Sequence, residues 1–436
     1  MKNNCVTSAL SNLFIATSLC ISAYATGMDS NETSDQDKRA GFYSTIKTTD
    51  LCKIDEAVEK FMQDNAVPGM AIALVARPQM PIIWSKGYGV KSLDDGGKVT
   101  KNTIFWQASV SKAVMGTAIA KALESGILNL DQKVQNLLAG GYFELDNPGS
   151  QPITLQHLVT HRSGIKDFED AYQCSFYINH GDGTHTKLLD LVAPGACPAD
   201  SPIDLAGFLG AYLDRDGEFY DFENNFGAQV PGQKYEYSNI GGALAGYSLE
   251  LASGFSLADY AQREIFTPLG MNNTSWKLSE LNPDKIARPH YQLNGNLTPL
   301  PLYDLATWPD GGLRSSAYDM ATFLATIMND GKLASGNRGP RILEADSVAQ
   351  MLTPIAGNFG IFWYTSSSYY NGEDHRIVGH NGGDPGSFSY LFFNPVEEVG
   401  VIFMGNTDHN GISESSFDML LATLLETTSG LPTAKP

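Results

Sequence analysis

The chain has 436 residues, of which 42% are hydrophobic and 18% are charged. This composition is typical of a globular protein and excludes a disordered chain, because disorder requires a poorer apolar content. With 29 basic and 48 acidic residues, the formal net charge is −19. We therefore expect no nucleic-acid partner, since binding phosphates requires clustered basic side chains.

The first 25 residues have the pattern of a signal peptide. Lys2 is the only charged residue among them, a mostly apolar run follows it, and Ala23-Tyr24-Ala25 places small residues at a cleavage spacing. We predict a signal peptide over residues 1–25 and a secreted or periplasmic protein that has no stable membrane span after cleavage. The polar stretch 26–49 predicts a flexible linker, and residues 50–436 predict a single folded domain.

Cleavage of the signal peptide would leave three cysteines, Cys52, Cys174 and Cys197. An odd number in an exported protein permits one disulfide. Cys174 and Cys197 flank one loop-rich stretch and are the predicted pair, with Cys52 as the third thiol. The sequence contains no Cys-x-x-Cys pair, so we expect no zinc site built from thiolates.

The hydrophobic pattern changes along the chain from strands to helices and back to strands. Apolar residues at helical spacing predict a first helix over 53–64, and apolar runs predict strands over 70–75 and 82–90. Helical patterns then dominate, over residues 112–124, 154–159, 203–213, 241–252, 257–266 and 317–328. The last part is predicted to form strands over 360–365, 376–379, 387–394 and 399–404, and a helix over 413–426.

This order of elements predicts one mixed α/β domain. Strands from both chain ends are expected to pair into an antiparallel sheet flanked by helices, with a helical subdomain inserted over about residues 105–327. An active-site cleft is expected between the sheet and that subdomain, because pockets often form at such boundaries.

The segment Ser109-Val110-Ser111-Lys112 lies where an apolar stretch passes into a predicted helix. Helical spacing places the Ser109 hydroxyl and the Lys112 amine on one face. The helix N-terminus favours negative charge at Ser109, and a lysine in a dry cleft can have a lowered pKa and help to take the serine proton. The alternative interpretation is a serine that caps the helix and a solvated lysine.

The segment Tyr237-Ser238-Asn239 follows a Pro-Gly turn. Alternate residues of an extended segment point to the same side, so the phenol and the amide are expected to face one site. Tyr237 is a candidate proton carrier if Lys112 stabilises its phenolate, and Asn239 is a candidate ligand of a substrate amide. If this motif stood alone, an aromatic turn packed on the core would explain it better.

The segment His380-Asn381-Gly382-Gly383 follows a short predicted strand. A glycine-rich strand edge leaves backbone N–H groups open to an extended ligand. His380 is a candidate hydrogen-bond donor or titratable group that faces the cleft. Taken alone, this motif would be a glycine turn with a surface histidine.

Together and in this order, the three motifs resemble those of the serine β-lactamase and penicillin-binding-protein family. The similar branch holds class C β-lactamases, DD-carboxypeptidases and related esterases, which carry Ser-x-x-Lys, Tyr-x-Asn and a Lys/His-x-Gly box in this order. Further segments that look like the family are 153–164, 268–271, 311–313 and 359–361. The resemblance covers residues 53–426, nearly the whole predicted domain, and so implies the β-lactamase/transpeptidase-like fold.

The resemblance implies Ser109 as the acylated nucleophile and Lys112 as its proton partner. It implies Tyr237 as general base and then as general acid toward the leaving group. The implied substrate-binding residues are Asn239, His380, Gly382 and Gly383. The backbone N–H groups of Ser109 and Gly383 are implied to form the oxyanion hole, and no cofactor is implied.

Two features depart from the family pattern. The third box is His-Asn-Gly at 380–382, where class C β-lactamases generally carry Lys-Thr-Gly, and a histidine there is more similar to peptidase and esterase members. Residues 166–230 form a longer stretch than usual, and we expect this insertion to overhang the cleft and shape substrate choice. Its run 180–185 holds two His and one Asp, which in a flexible loop are more often solvated, so no metal site is predicted. His161 is expected to be structural.

The sequence thus predicts an exported serine hydrolase that acts through an acyl-enzyme on a peptide, amide or ester. The first candidate substrate is a D-amino-acid peptide such as the D-Ala-D-Ala end of peptidoglycan, as for a D-alanyl-D-alanine carboxypeptidase. An esterase or a β-lactamase of the same fold is one alternative, and a penicillin-binding sensor or scaffold with little turnover is another. The expected partner is a small-molecule or peptide substrate, and the oligomeric state stays open.

Overall fold

A computed structural model describes residues 48–76, 84–146, 151–227, 229–293, 296–333 and 339–429. In it, an N-terminal segment, 69–89, and a C-terminal segment, 364–405, pair in one antiparallel sheet. The predicted signal peptide, and the predicted linker apart from residues 48–49, lie outside these ranges. Within the ranges, no helix combines the length and the apolar character needed to cross a bilayer.

The described residues form short and long elements in the following order. The strands are β1 (Gly69–Ala76), β2 (Trp84–Gly89), β3 (Ile104–Trp106), β4 (Phe176–Asn179), β5 (His185–Lys187), β6 (His290–Leu293), β7 (Asn296–Pro299), β8 (Asp304–Leu305), β9 (Arg314–Ser316), β10 (Tyr364–Tyr370), β11 (Glu373–Asp384), β12 (Ser387–Asn394) and β13 (Val399–Gly405). The α-helices are α1 (Thr48–Asp64), α2 (Val110–Glu124), α3 (Val134–Leu138), α4 (Leu155–Val159), α5 (Glu169–Tyr172), α6 (Leu205–Leu213), α7 (Asn239–Ser253), α8 (Leu257–Ala261), α9 (Thr267–Leu269), α10 (Ala317–Met328), α11 (Ala345–Leu352) and α12 (Glu414–Ser429).

The central sheet has the strand order β10-β11-β12-β13-β1-β2. Each neighbouring pair is antiparallel, and β1 pairs with β13 from Met70 opposite Gly405 to Ala76 opposite Val399. The N-terminal hairpin β1–β2 therefore extends the C-terminal meander β10–β13. This pairing confirms the predicted fold, a mixed α/β domain whose antiparallel sheet is built from both chain ends.

Helices cover both faces of the sheet. Along β1, Ala71 and Ala73 join one hydrophobic core while Ile72 and Leu74 join a second core, because successive side chains of a strand point to opposite faces. The first core contains buried residues of α2 and α10, and the second contains those of α1 and α12. The predicted cleft lies on the face of the sheet that α2 covers.

The region 105–327 is less helical than predicted. Between its helices, β4, β5 and β8 form a three-stranded sheet and β6 pairs with β7. β4 and β5 belong to the insertion 166–230, in which a disulfide joins Cys174 to Cys197, the pair favoured from the sequence. These strands are too short to produce an alternating hydrophobic pattern, and β8 has only 2 residues.

Two predicted elements begin and end at the residues that the sequence indicated, and one predicted strand is wrong. The helix over 317–328 and the strand over 387–394 are confirmed. The strand predicted over 360–365 is wrong, since β10 begins only at Tyr364. Phe362 has a φ of 58°, and the Gly360 N–H donates to the Trp363 carbonyl oxygen at 2.8 Å, so this segment forms a turn.

Candidate active site

Ser109 lies at the junction between β3 and α2. Ala108 has a φ of 44°, and the Gln107 N–H is held by the Leu313 carbonyl oxygen at 2.8 Å, which turns the chain sharply before the helix. Ser109 precedes α2, but its side chain makes no capping hydrogen bond, and the residue is half-buried. Its hydroxyl is therefore available to the cleft, contrary to the alternative of a capping serine.

Ser111 has a different environment. It is fully buried, and its Oγ accepts a hydrogen bond from the Leu313 N–H at 3.0 Å. Because this hydroxyl is engaged inside the protein, the geometry distinguishes Ser109 from Ser111 as the hydroxyl that faces the site.

Lys112 is fully buried, and its ammonium group has three acceptors. Nζ lies 3.2 Å from Ser109 Oγ, 2.6 Å from Asn239 Oδ1 and 2.8 Å from the Asp310 carbonyl oxygen. An ammonium group has three protons to donate, so the site is complementary to a charged lysine. The alternative of a solvated surface lysine does not hold.

The pKa of Lys112 differs from the sequence-based expectation. Burial by itself would lower this pKa, but attraction to Tyr237 and Asp310 outweighs burial and raises it. The expected lowered pKa is therefore wrong, because the buried acids around Lys112 could not be located from the sequence. Lys112 is better suited to stabilise a neighbouring anion than to remove a proton by itself.

Tyr237 completes the contacts of the Ser109 hydroxyl. The Tyr237 hydroxyl lies 2.8 Å from Ser109 Oγ, and Lys112 Nζ is 5.1 Å from the centre of the Tyr237 ring. Burial raises the pKa of Tyr237, and Lys112 offsets part of that rise. A proton could pass directly from Ser109 to a Tyr237 phenolate, since the distance is that of a hydrogen bond.

Asp167 is a residue of this site that the sequence argument missed. Its carboxylate accepts hydrogen bonds from the backbone N–H groups of Asn239, at 2.7 Å, and Ile240, at 3.1 Å, and from the Ser238 hydroxyl, at 3.0 Å. An acidic side chain at a helix N-terminus is stabilising, and here it fixes the start of α7. Asp167 thereby positions Asn239, whose side chain binds Lys112. An isolated Asp in the insertion gave no sequence signal of this role.

The glycine-rich segment at the end of β11 lies directly against Ser109. A Cβ atom at Gly382 would be 2.6 Å from the Ser109 backbone nitrogen, so the close approach requires glycine. Gly383 borders the same cleft, and a Cβ there would be 2.6 Å from the His409 Cβ. The structure thus brings the two predicted oxyanion-hole residues, Ser109 and Gly383, to one wall.

His380 is buried and does not titrate near neutral pH. Burial, with a contribution from the Lys112 charge, lowers the pKa of His380 to about 3. Its Nδ1 lies 2.6 Å from the Asn381 carbonyl oxygen, which can only accept, so Nδ1 carries the proton. Nε2 is therefore an acceptor, and it has no hydrogen-bond partner among the described residues. Both roles predicted for His380, a hydrogen-bond donor and a titratable group facing the cleft, are therefore wrong, because the one N–H is used by Asn381 and Nε2 can only accept.

The cleft has a volume of about 400 Å³ and a largely aromatic wall. It is lined by Ser109, Tyr235, Tyr237, Asn358, Phe359, Tyr364, His380, Asn381, Gly382, Gly383 and His409. His161 stacks on Tyr237 from behind at 4.4 Å between ring centres, and its Nδ1 accepts from the Ser238 N–H at 3.2 Å, so its contacts are those of a structural residue. Sequence reasoning missed Tyr364 and His409, which lie far along the chain from the other motifs.

The insertion 166–230 does not overhang this cleft as expected. None of its described residues lines the cleft. In its run 180–185, His180 contacts the Thr186 hydroxyl at 2.9 Å and Asp182 accepts from the Thr184 N–H at 2.9 Å, both in exposed positions. Within the described ranges, no group of three or more His, Cys, Asp or Glu side chains is arranged to hold a metal ion.

The fold and the Ser109–Lys112–Tyr237 geometry together define a serine hydrolase of the β-lactamase/transpeptidase-like class. A family model described as Beta-lactamase matches residues 54–425. The chain therefore belongs to the β-lactamase family, which includes penicillin-binding proteins, and the resemblance inferred from its motifs is confirmed.

Curated relatives and solved structures agree with this assignment. The chain is 24% identical over 388 residues to Penicillin-binding protein 4 of Amycolatopsis lactamdurans, covering 86% of this chain and 90% of that protein. It is 24% identical to Protein flp of Staphylococcus aureus (strain N315), covering 81% of this chain but only 62% of that longer protein.

Two solved structures share the fold. The octameric penicillin-binding protein homologue from Pyrococcus abyssi matches with a TM-score of 0.66 and 23% identity, covering 88% of this chain and 79% of that one. D-alanine carboxypeptidase AmpC from Burkholderia cenocepacia matches with a TM-score of 0.59 and 19% identity, covering 85% of this chain and 97% of that one.

Proposed function

We propose that the protein hydrolyses a peptide or related amide through an acyl-enzyme on Ser109, as a D-alanyl-D-alanine carboxypeptidase-like enzyme. The observation that carries the reaction type is the position of Ser109 Oγ, 3.2 Å from Lys112 Nζ and 2.8 Å from the Tyr237 hydroxyl. One buried cation and one half-buried phenol meet at a single accessible hydroxyl, which is the arrangement that activates a serine nucleophile.

In the proposed reaction, Tyr237 as phenolate takes the Ser109 proton while Ser109 Oγ attacks the substrate carbonyl carbon. Lys112 stays cationic and stabilises the phenolate. The backbone N–H groups of Ser109 and Gly383 bind the oxygen of the tetrahedral intermediate. Tyr237 then donates the proton to the leaving nitrogen as the carbon–nitrogen bond breaks. Water repeats the sequence, with Tyr237 as base, and releases the acid product and Ser109.

His380 supports an amide substrate over an ester. Its Nε2 is a buried acceptor with no partner among the described residues, and its ring centre is 6.5 Å from that of Tyr237, the proposed proton donor to the leaving group. A turn of the His380 ring that uncovers Nε2 to the cleft would let the N–H of a peptide leaving group satisfy this acceptor, whereas an ester oxygen has no proton to donate. An unsatisfied buried acceptor costs free energy, so the peptide gains the advantage.

A matched pair of substrates tests this proposal. A D-alanyl-D-alanine peptide and the depsipeptide with the same acyl part should both be cleaved. Substitution His380→Leu should lower kcat/KM for the peptide by roughly tenfold, the worth of one hydrogen bond, while the depsipeptide changes little. An equal loss on both substrates would show that His380 does not contact the leaving group.

Esterase activity is the second candidate, because of the aromatic wall of the cleft. Tyr235 stacks on Phe359 at 5.4 Å, and Phe359 contacts Tyr364 at 5.4 Å, which provides an apolar surface for an acyl chain. Rapid hydrolysis of p-nitrophenyl esters without cleavage of D-alanyl peptides would establish the esterase. A fluorescent penicillin that labels Ser109 and is lost within minutes would indicate a β-lactamase, and a label that persists without peptide cleavage would indicate a sensor.

We also propose that the protein is exported and acts in the periplasm or outside the cell. The N-terminal pattern of residues 1–25 and the Cys174–Cys197 disulfide support this location, because disulfides persist in oxidising compartments. N-terminal sequencing of the mature protein should begin after Ala25. A mature protein that begins at Met1 and is recovered from the cytoplasm would contradict the proposal.

A further inference from the structure

The insertion 166–230 contacts the site from behind. Phe176 of β4 pairs with Leu305 of β8, and the Ala306 N–H donates to the Ser175 carbonyl oxygen at 2.8 Å. The disulfide of Cys174 lies at the start of this contact. The insertion is thereby joined to the segment that ends at Asp310, and Asp310 holds Lys112.

Two consecutive contacts connect the insertion to Lys112. The Tyr172 hydroxyl donates to the Asp310 carboxylate at 3.0 Å, and Lys112 Nζ donates to the Asp310 backbone carbonyl oxygen at 2.8 Å. Asp310 is fully buried and Tyr172 is 7% exposed, so neither contact competes with bulk water. Within the described residues, the other hydrogen-bond contact of the Asp310 side chain is the Thr307 hydroxyl, 3.4 Å from the second carboxylate oxygen.

We propose that Tyr172 and Asp310 form a positioning pair through which the insertion holds the ammonium group of Lys112 in place and, when Asp310 is ionised, favours its positive charge. This inference rests on the proposed function, in which the positive charge of Lys112 stabilises the Tyr237 phenolate. Neither residue touches the cleft, so both act through Lys112. The insertion therefore affects catalysis through the charge of the site and not through contact with the substrate.

The ionisation of Asp310 determines how the pair changes the pKa of Lys112. Burial raises the pKa of the Asp310 carboxyl to about 8. The charge of Lys112 and the Tyr172 hydrogen bond lower this pKa, and the nearby carboxyls of Asp384 and Asp167 raise it. Below that pH the carboxyl is neutral. Above it, the carboxylate attracts Lys112 and favours its charged form. The Tyr172 hydrogen bond favours ionisation of Asp310, so its loss would delay ionisation to higher pH.

The test is the pH dependence of Ser109 labelling by a fluorophosphonate probe, followed by intact mass. Lys112 and Tyr237 lie close together and are expected to titrate as a pair, so a step in the profile belongs to the pair and not to either residue alone. The wild-type profile should have a step above about pH 8, and its absence would overturn the inference. In Asp310→Asn, which keeps the backbone carbonyl and the side-chain shape, this step should move to lower pH by about one unit, because a neighbouring charge is lost. Steps below that pH should not move. Tyr172→Phe should produce a smaller shift in the same direction.

Tyr177→Phe is the matched control, since it removes a phenol from the same insertion without touching Asp310, and its profile should equal that of the wild type. If both variants label more slowly at every pH and the titration step does not shift, the inference is overturned. It is also overturned if Asp384→Asn shifts the step and Asp310→Asn does not. A wild-type protein that takes no label at Ser109 would instead refute the proposed function.

Discussion

At the residue scale, the site depends on which polar groups are buried together. Lys112 has three hydrogen-bond acceptors, and attraction to Tyr237 and Asp310 raises its pKa although burial alone would lower it. The Ser109 hydroxyl makes no capping hydrogen bond to the helix, and its partners are instead Lys112 and Tyr237. Nucleophile and cation are thus distinguished from their neighbours by hydrogen bonding, not by residue type.

The first prediction concerns the two serines of the first motif. Ser109→Ala should abolish covalent labelling and reduce activity by at least about 10³-fold, because the acyl-enzyme cannot form. Ser111→Ala should label normally but lower the free energy of unfolding by about 1–3 kcal/mol, because it leaves the buried Leu313 N–H unpaired. Mass mapping of the labelled peptide and urea unfolding measure both effects. Label found on Ser111 would show that the assignment is wrong.

The second prediction concerns the proton carrier. Tyr237→Phe keeps the stacking on His161 but removes the hydroxyl that lies 2.8 Å from Ser109 Oγ. The value of kcat should fall by about 10²–10⁴-fold, the usual contribution of general acid–base catalysis, while the unfolding temperature changes little. The basic limb of the pH–rate profile should move or disappear. Near-normal turnover would make Tyr237 a packing residue and leave Lys112 as the base.

At the scale of elements, the cleft exists because β11 runs against the start of α2. A strand end can approach the Ser109 backbone only where it has no side chain, and a Cβ at Gly382 would be 2.6 Å from the Ser109 nitrogen. On the other side, Asp167 fixes the start of α7, which places Asn239 against Lys112. Three elements that are distant in sequence therefore fix one hydroxyl, one amine and one amide.

The third prediction tests this close approach. Gly382→Ala should reduce activity by at least about 10²-fold, since separating β11 from Ser109 disturbs the oxyanion hole. The matched control is Gly411→Ala, where an added Cβ would meet nothing within 4 Å. Activity and unfolding temperature of the control should stay close to those of the wild type. Full activity in Gly382→Ala would mean that β11 does not set the geometry at Ser109.

At the scale of the whole molecule, the central sheet joins an N-terminal and a C-terminal segment, and the insertion contacts Asp310 beside the site. The regular elements of the insertion are short, and its disulfide closes a loop with a sequence separation of 23 residues. A cross-link stabilises a protein largely by restricting the unfolded chain, and more so for longer loops.

The fourth prediction follows from that loop. The double variant Cys174→Ala/Cys197→Ala should lose about 3 kcal/mol of unfolding free energy, the cost expected for a loop of this length, measured by urea denaturation. The wild type under reducing conditions should behave similarly. Non-reducing peptide mapping should recover Cys174 linked to Cys197, and recovery of either one linked to Cys52 would contradict the pairing.

The sequence by itself determined the long elements and the order of the motifs. The helix α10 and the strand β12 have strong local patterns, and Ser109, Lys112 and Tyr237 lie in recognisable segments. The tertiary structure alone decided the state of those residues. It brought Asp167, Asp310, Tyr364 and His409 to the site, it raised rather than lowered the pKa of Lys112, and it placed the insertion behind the cleft. How deeply a residue is buried, and which charged groups lie beside it, depend on contacts between segments that are distant in sequence. The local hydrophobic pattern carries no information about these contacts.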